Sequence, residues 1–99
     1  MFYVKELCAY CQAGAVGFRR CSDQVTIVLM CDECDFVWLR PDRTTLADAL
    51  FPSMETSQVP GTPYAVGGEG AGWATLAEIE QAGWQAYIYG EQQESVRAW

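Results

Sequence analysis

Two cysteine pairs stand in the first third of the chain, Cys8 with Cys11 and Cys31 with Cys34. Each pair is separated by two residues, and the pairs by nineteen. C-x2-C followed at this distance by a second C-x2-C is the spacing of a four-thiolate metal site. Each C-x2-C is a tight turn that places two sulfurs on one side of the backbone, and two such turns complete the tetrahedron that Zn2+ prefers. Four protein ligands leave no open position for water or substrate. The metal's task is therefore structural, and the biochemical task must lie elsewhere on the chain.

A chain of 99 residues, 51% of them apolar, is long enough for one small domain with a real core. A structural zinc contributes on the order of 10 kcal/mol to folding in small fingers, as much as the whole stability of an ordinary domain. A disulfide framework is the competing use of the cysteines, but the count of five is odd and the density low for a stapled secreted scaffold. Residues Met1 to Glu6 hold no apolar run of signal-peptide length, and no stretch approaches a membrane span. These features point to a reducing cytoplasm and to no membrane partner.

Redox-active C-x2-C pairs are a further alternative. A thioredoxin-type motif needs one pair at a strand-to-helix junction, whereas here two symmetric pairs flank strand-like segments. Ala15 to Arg20 and the β-branched Val25 to Met30 read as a hairpin leading into the second cysteine pair. Phe36 to Arg40 reads as a third strand closed by Pro41. Over residues 2–41 this layout of hairpin, knuckle and strand resembles the zinc ribbon, or rubredoxin-like, family. The resemblance implies metal ligation by Cys8, Cys11, Cys31 and Cys34. Knuckles of that family usually carry glycine just after the second cysteine, where the backbone turns left-handed; Gln12 and Asp35 stand there instead, with Gly14 as a late substitute in the first knuckle. Rubredoxins hold iron in the same kind of site and transfer electrons, so the ligand set admits zinc or iron. Cys21, at the hairpin turn, reads as a small buried residue, since there is no histidine to activate it.

The near-continuous apolar character of Val25 to Met30 asks for cover on both faces of that strand, which a three-stranded ribbon cannot supply. The C-terminal half is expected to supply it. Thr45 to Phe51 reads as a short capped helix stopped by Pro52. Thr75 to Glu78 is a capping box opening a second helix that ends at Gly83, with Leu76, Ile79 and Ala82 facing the ribbon. Trp84 to Tyr89 alternates like a strand ended by Gly90. The expected architecture is thus α+β: a small zinc ribbon of antiparallel strands, with two short helices and a C-terminal strand packed on it. All 99 residues form a single domain, made of the ribbon at 2–41, a helical and loop extension at 44–90, and a mobile tail at 91–99. Residues 52–74 read as a surface wrap or mobile segment.

Catalytic constellations are scarce. With no histidine, Ser-His, Cys-His and His-metal chemistries are excluded. Glu78 and Glu80 fall on different faces of their helix. The run Gly67 to Gly72 lacks both the lysine of a P-loop and the preceding strand of a dinucleotide site.

Charge is more informative. Residues 1–43 carry five basic against six acidic residues, net -1, and residues 44–99 one against seven, net -6, for -7 in all. That field opposes nucleic-acid binding through Arg19, Arg20, Arg40 and Arg43, which read as a solvated strand face. It suits a basic protein surface, where complementary potential speeds encounter. The expectation is a non-enzymatic protein acting by protein–protein interaction, of the class of acidic inhibitors and immunity-type proteins. A nucleic-acid-binding ribbon and rubredoxin-like electron transfer are the alternatives. Tyr64, Trp73, Trp84, Tyr87, Tyr89 and Trp99 supply interface-type aromatics, read mainly as cover for the ribbon.

Overall fold

A computed structural model describes residues 1–93. Its central element is β3 (Ile27–Cys31), buried at every position. Alternation along a strand sends Ile27, Leu29 and Cys31 to one face and Val28 and Met30 to the other. These two sets belong to two separate core clusters. Cover on both faces is what the apolar run asks for.

β2 (Ala15–Arg20) and β1 (Phe2–Leu7) extend the sheet on one side of β3, and β4 (Val37–Trp38) lies on the other, all antiparallel. The outer edge of β2 is shared: β1 pairs with its first half, and β5 (Gly72–Trp73) pairs with Arg19 and Arg20. β6 (Gly90–Glu91) pairs with Phe2 and Tyr3 at the edge of β1. Among the described residues no helix is long and apolar enough to cross a membrane.

One face packs Val4, Val16, Phe18, Leu29 and Trp38 beneath Ile79 of α1 (Leu76–Gln81). Thr75 forms the expected capping box with Glu78. Of the three residues assigned to the helix's inner face only Ile79 is buried, because six residues expose one narrow stripe; Leu76 and Ala82 lie open. The other face is closed by residues 52–74. Val59 and Val66 are fully buried there against Val28, Met30 and Val37. The segment is fixed by Val59 N–H to Tyr64 O, Val66 N–H to Ser57 O and Ser22 N–H to Ala65 O, at 2.8–2.9 Å.

Two arginines fasten that segment from beneath. Arg19, 2% exposed, donates its Nε–H to Val66 O at 2.9 Å and stacks 4.9 Å from the Trp73 ring. Arg20 donates to Gly70 O at 2.9 Å and meets the Glu78 carboxylate at 3.1 Å. Neither side chain lies on a solvated strand face: Arg19 is buried on one face of β2, and Arg20, next along the strand, is held half-buried on the other. A planar guanidinium can stack and donate at once, which suits it to an enclosed site of this kind.

The α+β expectation is corrected: the described residues form mostly antiparallel sheet with one short α-helix and two 3-10 turns. In place of the helix at Thr45 to Phe51 there is a single 3-10 turn, Leu46–Asp48, with no buried residue. The Thr45 hydroxyl donates to Asp48 Oδ2 at 2.7 Å instead of capping a backbone amide. Leu50 then exchanges two hydrogen bonds with Val37, at 2.7 and 2.8 Å. A sheet edge needing a partner thus outcompetes a helix with no apolar face to bury.

The strand expected at Trp84 to Tyr89 is also overturned. Gln85–Tyr87 is a 3-10 turn, and only Trp84 and Ile88, four residues apart, pack on the core. Gly90, read as a stop, is itself the paired residue: a Cβ there would lie 2.6 Å from Tyr3 Oη. Glu91 and Gln92, assigned to the tail, are tied to the N-terminus, with Gln92 N–H donating to Met1 O at 2.9 Å. The rest of that tail, from residue 94, lies outside the described residues.

Arg19→Met is expected to cost about 2 kcal/mol or more in urea unfolding, since it leaves a buried carbonyl unmet. Val25→Ser, at the exposed hairpin tip, should stay within about 0.5 kcal/mol. Glu78 gives a pH signature. Burial raises its pKa, but the Thr75 amide and Arg20 outweigh that and hold it below the usual value. A depressed folded value means stability that is present above the unfolded pKa of about 4.3 and lost as pH falls through the folded value. Glu78→Gln should therefore lower Tm at pH 7, with a gap from wild type that closes in acid.

Candidate metal centre

Antiparallel order decides where the cysteines meet. β1 and β3 end, and β2 and β4 begin, at the same end of the sheet, so both C-x2-C turns are gathered there. Cys8 follows β1 and Cys31 closes β3. Cys8 N–H donates to Gly14 O at 3.0 Å and Cys31 N–H to Phe36 O at 2.9 Å, closing each turn against the start of the next strand.

The four sulfurs all lie within 4.8 Å of one another. Cys8 Sγ is 3.5 Å from Cys34 Sγ, and Cys11 Sγ is 3.6 Å from Cys31 Sγ. A tetrahedron with metal–sulfur bonds of about 2.3 Å has edges of about 3.8 Å. The cluster has the dimensions to hold a metal ion, and its ligands come one pair from each knuckle. All five cysteines are free thiols, and Cys21 sits apart, fully buried in the opposite core cluster.

Backbone amides point at the sulfurs. Cys11 N–H approaches Cys8 Sγ at 3.5 Å and Gly14 N–H approaches Cys11 Sγ at 3.4 Å. Glu33 and Cys34 N–H approach Cys31 Sγ at 3.4 and 3.5 Å. Such donors favour the thiolate over the thiol. The Ala13 amide is the main cause that lowers the Cys11 pKa to about 7. Burial works the other way, pushing Cys34 up to about 11 and Cys31 higher still. Two sulfurs held in apolar surroundings need a cation to draw off their protons, and a bound metal is such a cation.

The residue after each second cysteine does turn left-handed, with φ of 56° at Gln12 and 69° at Asp35. Gly14 is not the substitute. It is needed for space: a Cβ there would fall 2.4 Å from Cys31 Sγ and within 2.9 Å of the Glu33 side chain. Its amide also serves Cys11. The sequence marks Gly14 only as a glycine near a knuckle, since the atom it must clear lies seventeen residues on.

No family model matches the chain, and no solved structure matches it. The chain is similar to the uncharacterized protein L48 of Acanthamoeba polyphaga mimivirus. The two are 28% identical over 87 residues, covering 83% of this chain and 72% of that protein.

Gly14→Ala should weaken metal binding without touching a ligand, and Cys31→Ser should lose metal and fold together, because binding energy here is folding energy. Gln12→Gly is expected to raise stability by about 0.5 kcal/mol by relieving a left-handed non-glycine residue. Cys21→Ala should keep full metal content. Elemental analysis paired with thermal unfolding of the four variants reads all of these.

Proposed function

We propose that this chain is a non-enzymatic binding protein in which zinc, held by Cys8, Cys11, Cys31 and Cys34, fixes one end of the sheet while the acidic exterior engages a basic protein. Zinc has no redox chemistry and accepts four thiolates in a tetrahedron, which suits a closed site of this size. When bound it supplies charge that keeps the four sulfurs ionised. The protein's own amides and the clearance at Gly14 supply the rest.

One observation carries the choice of partner: the two arginines of β2 are spent internally, and the exposed Arg40 and Arg43 each sit beside a carboxylate. Arg19 and Arg20 hold residues 66–70, while Arg40 meets Asp42 at 3.0 Å and Arg43 lies 3.9 Å from Asp48. A nucleic-acid surface would need those cations to gather phosphates. What faces outward is mostly acidic, with Glu69, Glu80 and Glu91 exposed against the exposed cations Lys5, Arg40 and Arg43. Complementary charge of this kind sets encounter rate more than residence time.

One zinc per chain is expected, with chelation unfolding the sheet. Visible absorbance of a reducible iron site would replace this reading by electron transfer. Association with a basic protein should slow steeply as salt rises, and the triple change Glu69→Gln, Glu80→Gln and Glu91→Gln should lower the on-rate more than it raises the off-rate. Tight, arginine-dependent binding to an oligonucleotide in a low-salt gel shift would overturn the assignment.

A further inference from the structure

Beside the metal centre three aromatic rings form a row. Tyr10, inside the first knuckle, lies 4.4 Å from Phe36, which follows the second knuckle, and Phe36 lies 5.2 Å from Phe51, edge to face. Tyr10 is 59% exposed, Phe51 46%, and neighbouring Met54 91%. A concavity of about 200 Å3 opens next to the row, with Asp35, Phe51 and Met54 among its walls.

The row is held before anything binds. Tyr10 is carried by the Cys8–Cys11 turn, and Phe51 follows Leu50, which is doubly hydrogen-bonded to Val37. Fixed aromatic side chains lose little freedom on binding, and a methionine beside them adapts to what arrives. Tyr10 and Phe51, exposed on either side of the half-buried Phe36, mark an interaction surface better than scattered apolar residues do.

Charge selects the occupant. Residues 6–18, 21–39 and 44–93 contain no lysine or arginine, and all four residues of the surface lie in those stretches. Glu55, exposed, adjoins Met54, and Asp35 adjoins Phe36. Ring faces attract a guanidinium through their quadrupole, and nearby carboxylates add to that attraction. A second copy of the chain, at net -7, is repelled by the same field, as is a phosphate backbone.

We propose that the Tyr10–Phe36–Phe51 row with Met54 is the docking surface for an arginine-bearing segment of another protein, whose guanidinium groups stack on the rings. This rests on the reading that the protein binds a basic partner, and it assigns the place.

The test uses the zinc-loaded protein and a nine-residue peptide alternating arginine and leucine, with a glutamate–leucine peptide as control, followed by amide NMR at low salt. The arginine peptide is expected to shift the amides of Tyr10, Phe36 and residues 51–55, and the control to shift none. The double variant Tyr10→Ser with Phe51→Ser should bind at least tenfold more weakly while keeping its zinc, and Phe51→Tyr alone, which keeps a ring at that position, should bind nearly as tightly as wild type. Shifts confined to the region of Glu78 and Glu80, with the double variant binding like wild type, would overturn the assigned surface and leave the basic-partner reading standing. No arginine-peptide binding anywhere would overturn both. Dimerisation abolished by the double variant, or an oligonucleotide that displaces the peptide from the row, would assign the surface to a different occupant and so reject the proposal.

Discussion

Four sulfur atoms share one end of a sheet, and two of them belong to fully or almost fully buried residues, Cys8 and Cys31. Like charges cannot be collected in an apolar setting without a counter-ion. The amides of Cys11, Ala13, Gly14, Glu33 and Cys34 soften that problem but bring only partial charges. A bound metal ion would resolve it, and strand order, the two left-handed residues and the missing Cβ at Gly14 all fit a cluster that can hold one. The knuckles in turn join β1 to β2 and β3 to β4, so the register of the sheet and the geometry of the sulfurs are one constraint.

At the opposite side of the sheet a second fixed point does comparable work without metal. Arg19 and Arg20 sit on β2 with their side chains under residues 66–70. A segment with three prolines and several glycines has little propensity of its own to settle, and its carbonyls would lack partners over an apolar face. Guanidinium groups supply donors there, while Val59 and Val66 supply burial. Arg20 also reaches Glu78, so the segment covering one face and the helix covering the other are linked through a single strand.

What could be read from the sequence was whatever depends on neighbours in sequence. The two C-x2-C turns, the β2–β3 hairpin, the doubly covered β3 and the capping box at Thr75 are local signals, and each appears in the structure. Failures came where a distant partner decided. Thr45 and Asp48 form a local pair that imitates a cap, but Val37, eight residues before Thr45, draws Leu50 into the sheet. Trp84, Ala86 and Ile88 imitate an alternating strand, yet only the residues four apart face the core. The burial of Arg19 has no sequence signal at all, since nothing adjacent shows that Val66 and Trp73 will lie above it.

These two fixed points also divide the molecule's chemistry. Folding consumes the four thiols, both arginines of β2 and every residue of β3, leaving those groups unavailable for recognition. Carboxylates on the outer turns and the aromatic row beside the knuckles are not consumed in this way. Their arrangement near the metal centre means that the same turns which gather the sulfurs also hold Tyr10 and Phe36 at a fixed spacing. If the proposed docking surface is built on metal-holding knuckles, it would be lost whenever the metal is lost, and metal occupancy and partner binding would be linked by geometry without any direct contact between ion and partner.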